Sequence, residues 1–533
     1  MKKLTRAALL LGAGALCALA AACGGGDAEV TTDSDAKSLS YWVALPTQIS
    51  AHYTSMAEMT VYQELEKKTG VHIDFVHVPP AQEQEKFTLM IASGNMPDLI
   101  ETNWKRYYQG GPTKALQDGM IVEADEYLEK CAPNFKQLMD ENDESRRSVV
   151  TSDGHYCVFP RVRRSDDESK AAIKSNFGGM MIRKDWLDKL GMELPETIEE
   201  WDTVLHAFQS ELGIANPLML DAGWFKVEGN GNDFNNAYGV DKGWYVKDGK
   251  VKFGPAEPGY KEYVELMKKW YTDGILDPEF DTTGGSTLMS KIIDGATGAT
   301  YAFLGTMGSI LSSKELPEGF DLQGTQFPVM NKGDEPYFMN KATLVSYPQI
   351  AVSKNCKNPE LAFSWIDNLY SEEGAILNYY GVEGLTYTKA DEENKVTYTD
   401  EIVNNPEGLT VNEALAKHVR AFTNIAGLTP KTKTTNSKYT IPAQQESYER
   451  YNEYFGNVFE VQIPEIEYPA ETAEEVSSIE FDINNFVWET VIRFIKGTEP
   501  MENYDKFLEQ LKTLKLDRLT EIKQDAYENY MKN

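Results

Sequence analysis

The sequence predicts an α/β chain organised in at least two lobes, and three observations carry that prediction. Strand-type and helix-type apolar patterns alternate through residues 39–100, the arrangement of helices laid on a mostly parallel sheet. A second stretch of the same kind opens near Gly179. At 533 residues the chain is also longer than one hydrophobic core organises.

Leu39 to Leu45 is mostly apolar, as a buried strand requires. Residues 57–69 read as a helix with Val61 and Leu65 on one face and Gly70 as its stop. Val71, Ile73 and Phe75 recur at period two, which gives a strand over Val71 to Val78, ended by Pro79-Pro80. A helix carrying Phe87, Met90 and Ile91 stops at Gly94, and Pro97-Asp98-Leu99-Ile100 opens a third strand. In the second region Gly179 to Ile182 is a strand and Lys184 to Leu190 a short helix. Thr197 and Glu200 stand at capping-box spacing before Trp201, Val204, Leu205 and Phe208. Tyr260, Tyr263, Val264, Met267, Trp270 and Tyr271 mark an amphipathic helix. Asn358 as N-cap and Pro359 at the first helical position start another, bearing Leu361, Ala362, Trp365, Ile366 and Leu369. Two helices, roughly 503–514 and 517–531, close the chain. On these helical faces Trp201, Trp270 and Trp365 are expected in the core.

Composition narrows the function by exclusion. A formal charge of −31 repels nucleic acid and anionic lipid headgroups. The six histidines are scattered with no HExxH, and neither GxSxG nor a P-loop occurs, so no catalytic role is expected. Cys131, Cys157 and Cys356 are too widely spaced for a zinc pattern and read as buried small hydrophobes. No cofactor or metal site is expected. Gln209 to Ile214 has no DxDxDG spacing, and Gly229 to Asn236, rich in Gly and Asn, lacks the spaced carboxylates of a calcium loop.

Lys2, Lys3 and Arg6 precede the uncharged apolar stretch Ala7 to Ala22, which is too short for a comfortable span and fits a secretory leader. Leu19-Ala20-Ala21-Ala22-Cys23, followed by three glycines, resembles a bacterial lipoprotein cleavage site and implies lipidation of Cys23. Further along, EKFTLMIASGNMPDLI (Glu85 to Ile100), GMIVEADEYL (Gly119 to Leu128), GGMMIRKDWLDKL (Gly178 to Leu190) and Pro195 to Trp201 resemble, in that order, stretches of the extracellular solute-binding proteins of family 1, the maltose-binding-like group. YGVEGLTY (Tyr380 to Tyr387), NPEGL (Asn405 to Leu409) and the terminal LDRLTEIKQDAYENY are similar to its large Gram-positive lipoprotein members.

The resemblance implies a periplasmic-binding-protein-like fold, two α/β lobes joined by a hinge around an inter-lobe cleft. It divides the chain into a signal peptide (1–22), a flexible tether (23–38), lobe 1 (39–158 plus 320–378) and lobe 2 (159–319 plus 379–533). It further implies a monomer, lipid-anchored on the extracytoplasmic face of the cell membrane, that hands a sugar or oligosaccharide to the permease subunits of an ABC importer. A peptide-binding lipoprotein of an ABC importer and a non-transport sensor or adhesin on the same fold are the alternatives.

A sugar presents apolar C–H faces and a rim of hydroxyls, which call for aromatic platforms and planar polar side chains. With nine Trp, 28 Tyr and 22 Phe the supply is ample, so position must select among them. Trp42 sits near the end of the first strand, Trp104 and Arg106 follow the third, and Trp224 follows Met219-Leu220-Asp221. Tyr379, Tyr380 and Glu383 lie near the implied last crossing, and Tyr439 in a Thr/Lys-rich loop. Gly305 to Ser309 reads either as a tight backbone loop or as a helix start. Arg183 and Asp185 read as an ion pair beside the crossing strand.

Overall fold

The computed structural model describes residues 37–164, 176–227, 234–339, 343–389, 396–420, 425–430, 439, 441–466 and 468–532. The expected leader, Cys23, nearly all of the tether and most of the Gly/Asn-rich stretch lie outside the described residues. The strands run β1 (Lys37–Ala44), β2 (Val71–Val78), β3 (Leu99–Thr102), β4 (Phe159–Val162), β5 (Gly178–Arg183), β6 (Leu218–Met219) and β7 (Trp244–Lys247). They continue with β8 (Lys250–Phe253), β9 (Ala299–Phe303), β10 (Leu322–Gly324), β11 (Val345–Val352), β12 (Tyr387–Lys389), β13 (Val396–Tyr398) and β14 (Gly427–Leu428).

Two sheets organise these strands. The first has the order β14-β4-β11-β3-β1-β2, with β11 alone running against the others, and the second has the order β10-β5-β9-β6, with β5 alone reversed. Strand alternation divides the side chains between two cores. In the first sheet Leu39, Tyr41, Leu99 and Ile350 pack on one face, and Trp42, Ile100 and Ala351 on the other. In the second, Met180, Ile182 and Tyr301 join one cluster, Met181 and Ala302 the opposite one.

Local signals account for the elements. The Thr197 hydroxyl accepts from Glu200 N while the Glu200 carboxylate accepts from Thr197 N, closing the expected capping box on the helix Ile198–Leu212. Asn358 accepts from Leu361 N at the start of the helix Pro359–Asp367. Gly94 ends the helix Glu83–Ser93 at φ 69°, a left-handed conformation that a side chain would strain. Trp201, Trp270 and Trp365 are buried, as are all three cysteines.

The lobe boundaries differ from those the resemblance implied. Phe159 to Val162 belongs to the first sheet, so the first crossing follows Val162 rather than residue 158. β10 pairs with β5, and Val329 and Phe338 still hydrogen-bond to Glu196 and Asn236 of the second lobe. The return therefore comes after Phe338, not at 320. β14 pairs with β4, so Gly427 and Leu428 still belong to the first sheet and the last crossing follows Leu428 rather than residue 378. The physical reason is a buried tie: the Arg420 guanidinium lies 2.6 Å from the Glu101 carboxylate, and both side chains are 1 % exposed. Ala426 N donates to the same carboxylate at 2.6 Å.

Candidate functional site

The segments that leave the strand ends touch the opposite lobe. Lys105, three residues past β3, places Nζ 3.2 Å from the Glu465 carboxylate and 3.2 Å from the Ile466 carbonyl. Gln109 donates to Glu474 at 2.7 Å. On the other side Gly305, two residues past β9, has its Cβ position 3.6 Å from the Asn412 amide nitrogen. The carboxyl edge of each sheet therefore leads to contacts with the opposite lobe, and the crevice beyond such an edge is where open α/β sheets hold ligands.

The second lobe presents rings at this edge. Trp224, five residues after β6, lies with its ring centroid 3.8 Å from that of Tyr301, and Tyr301 meets Phe303 edge-on at 6.1 Å. Trp224 and Tyr301 are nearly buried, whereas Phe303 at the end of β9 is 43 % exposed, unusual for so large an apolar ring. Gly178 permits the arrangement: a Cβ there would stand 2.7 Å from the Tyr301 hydroxyl and 2.8 Å from the Phe303 ring. The Lys242 ammonium lies 5.6 Å from the Trp224 ring centroid and donates to the Trp224 carbonyl. The result is a supported aromatic surface of the kind that packs on C–H faces.

The first lobe presents charge. Arg161 at the end of β4 donates from Nε to the Ser346 hydroxyl at 3.1 Å. Arg163 follows, with burial and the neighbouring Arg161 pushing its guanidinium down to about 10 while Tyr379 acts in the opposite sense. Arg164 turns away to the Glu372 carboxylate, 2.8 Å from Nη2. At the end of β3 the Thr102 hydroxyl donates to Glu83 at 2.7 Å, and burial pushes the Glu83 carboxyl up.

The candidates named from sequence fall into two groups. Trp42, Trp104, Tyr380 and Tyr439 are each no more than 5 % exposed. Trp42 and Trp104 both pack on Phe87, at 6.1 and 5.2 Å, and Trp104 donates to the Ile100 carbonyl. Tyr380 lies among Tyr387 and Tyr398, and Tyr439 against Phe177. The second group has accessible surface: Arg106 is exposed, Tyr379 is half-buried beside Arg163 and Glu383 is exposed 3.6 Å from the Lys389 ammonium, whereas Trp224 is itself buried and backs the exposed Phe303 through Tyr301. Phe303, Arg161 and Arg163 were not singled out. The available signals were an aromatic ending a strand before a glycine-rich helix and the run Arg161-Val162-Arg163-Arg164 in an acidic chain.

Gly305 to Ser309 lies within the helix Leu304–Leu311. Arg183 and Asp185 form the expected ion pair, bidentate at 2.7 and 2.6 Å, with the guanidinium 4.3 Å from the Trp186 ring. Among the described residues one group brings three metal-type ligand atoms within 4.8 Å, Glu123, Asp125 and His155. Asp125 already accepts from His155 Nδ1 at 2.8 Å and from Tyr156 N at 3.3 Å, so hydrogen bonding accounts for the grouping.

Residues 51–376 match the sequence profile described as bacterial extracellular solute-binding protein. The chain is 26 % identical over 496 residues to the fructooligosaccharide ABC transporter substrate-binding protein FusA of Streptococcus pneumoniae serotype 4, covering 89 % of this chain and 88 % of that one. It is 22 % identical over 398 residues to the polygalacturonan/rhamnogalacturonan-binding protein YtcQ of Bacillus subtilis, 71 % of this chain and 73 % of the other. Among solved structures, the alginate-binding protein AlgQ2 without calcium ion superposes with a TM-score of 0.75 at 21 % identity, covering 93 % of this chain and 98 % of that one. The profile spans well over half of the sequence, and the chain belongs to the bacterial extracellular solute-binding protein family.

Proposed function

We propose that this protein is the capture subunit of an ABC importer and holds an oligosaccharide between its two lobes. The observation that carries the reading is the exposed Phe303 ring, backed by Tyr301 and Trp224 at the carboxyl edge of the second sheet. Ring stacking supplies contact area without demanding one hydroxyl pattern. Tyr379, Arg106 and Glu383 supply polar contacts from the first lobe. The printed names of FusA, YtcQ and AlgQ2 support a saccharide ligand, since each is a binder or transporter component for a sugar chain.

A ligand that bridges both sheet edges favours the closed arrangement by its extra contacts there. Lipid on Cys23 then holds the binder at high local concentration near its permease. No described helix is long and apolar enough to cross a membrane. Thermal unfolding of the chain from Gly24 onward, against neutral and acidic oligosaccharides, monosaccharides and peptides, tests the reading. A true ligand at about 100 times its dissociation constant stabilises by about 2.7 kcal/mol. Stabilisation by peptides alone would replace the saccharide reading with the peptide one. The bound saccharide should be recovered unaltered by chromatography, and shortened products would instead point to an enzyme.

A further inference from the structure

The two lobes exchange chain at one corner of the first sheet. β4 leaves for the second lobe, β11 receives the return and β14 precedes the last crossing, and β4 lies between the other two. Arg161-Val162-Arg163-Arg164 occupies the carboxyl end of that middle strand. Val162 is buried in the lobe core, and the Arg163 N–H still pairs with the Leu344 carbonyl at 2.7 Å. Strand alternation therefore sends Arg161 and Arg163 together to the side opposite Val162. Arg164 has the Glu372 carboxylate. Among the described residues no carboxylate pairs with Arg161, whose one side-chain partner is the neutral Ser346 hydroxyl, and the Arg163 guanidinium has no ion pair.

Two half-buried guanidinium groups side by side repel each other, and partial loss of water sharpens the cost. The chain has 83 acidic side chains against 52 basic ones and elsewhere pairs its buried arginines with carboxylates. An anion arriving from outside would remove the repulsion and gain bidentate hydrogen bonds that a neutral hydroxyl cannot match. Arg106, exposed in the helical turn that follows β3, extends from the same carboxyl edge two strands away.

We propose that Arg161 and Arg163 form a carboxylate-binding subsite at the inter-lobe crossing, and that the captured oligosaccharide contains uronic acid residues. This rests on the saccharide reading above and specifies its substrate class. The test is calorimetric titration of the purified protein with oligogalacturonides, their methyl esters, sulfated oligosaccharides and neutral oligosaccharides of matched length. The expected result is binding of the uronates about tenfold to a hundredfold tighter than their esters. Arg163→Gln and Arg161→Gln should each remove most of that difference, while the ligand-free variants unfold at temperatures no lower than the parent. Equal affinity for acids and esters, or unchanged uronate binding by both variants, would overturn the subsite and leave the saccharide reading standing. Preference for sulfated chains would overturn the carboxylate assignment. No binding of any saccharide would overturn both readings.

Discussion

Two arginine sites in the first lobe, Arg420 and the Arg161/Arg163 pair, show opposite solutions to the same electrostatic problem. Arg420 is buried with its counter-charge built in: Glu101 accepts from it at 2.6 Å, Tyr41 hydrogen-bonds the same carboxylate, and these neighbours hold the guanidinium firmly charged. Arg163 is driven the other way by burial and by Arg161. The first site fastens Arg420 and Ala426 to the sheet. Among the described residues the second has no carboxylate partner, which is the observation behind the proposed subsite.

Converting one site into the other breaks the comparison most strongly. Glu101→Gln leaves Arg420 buried without its anion, and urea unfolding should show a loss of about 3–5 kcal/mol. The reciprocal change is Ser346→Asp, which sets a carboxylate beside Arg161 at a position now 3.1 Å from its Nε. It should weaken uronate binding by about 1.5–3 kcal/mol in calorimetry, without lowering stability. If Ser346→Asp leaves uronate affinity intact, the open pair is not a ligand site.

Phe303→Ala sharpens the contrast between the charged and aromatic sides of the cleft. The ring is 43 % exposed, so unfolding should change little, while affinity for neutral and acidic oligosaccharides alike should fall by about 1 kcal/mol. The smallest effect concerns His77, whose Nε2 accepts from Met56 N at 3.0 Å and whose pKa burial lowers below 6.5. The unfolded chain then binds the proton more readily, so this contribution is complete above pH 6.5 and fades as pH falls below it. His77→Gln should flatten the decline of stability between pH 7 and 5, measured by denaturant titration at each pH.

Much of the fold was legible because its signals are local. The Thr197–Glu200 box, the Asn358-Pro359 start and the alternation of Val71 to Val78 each act within a few residues, and each element formed where its signal stood. The last crossing was illegible because it depends on Glu101 meeting Arg420 and on a two-residue strand pairing with β4, contacts that no sequence spacing encodes. The 26-residue helix Ala470–Ile495 was missed although Val476, Ile479, Ile483, Val487 and Val491 follow helical spacing, because exposed Phe481 and half-buried Trp488 blur the stripe.

Residue type was legible in the sequence, whereas burial was not. Aromatic abundance announced stacking surfaces, but Trp42 lies in a sheet buried on both faces, where a strand-end aromatic packs inward on Phe87. Phe303 differs because β9 ends there and the chain turns into the helix Leu304–Leu311, leaving its ring beyond the covering layer.

Ligand that bridges the two sheet edges should draw the lobes together. Small-angle scattering of the protein with and without a calorimetrically verified saturating oligosaccharide tests it most directly. The expected result is a smaller radius of gyration with ligand, and a right-shifted ligand dependence of that change in Phe303→Ala. An unchanged radius with the ligand demonstrably bound would contradict it.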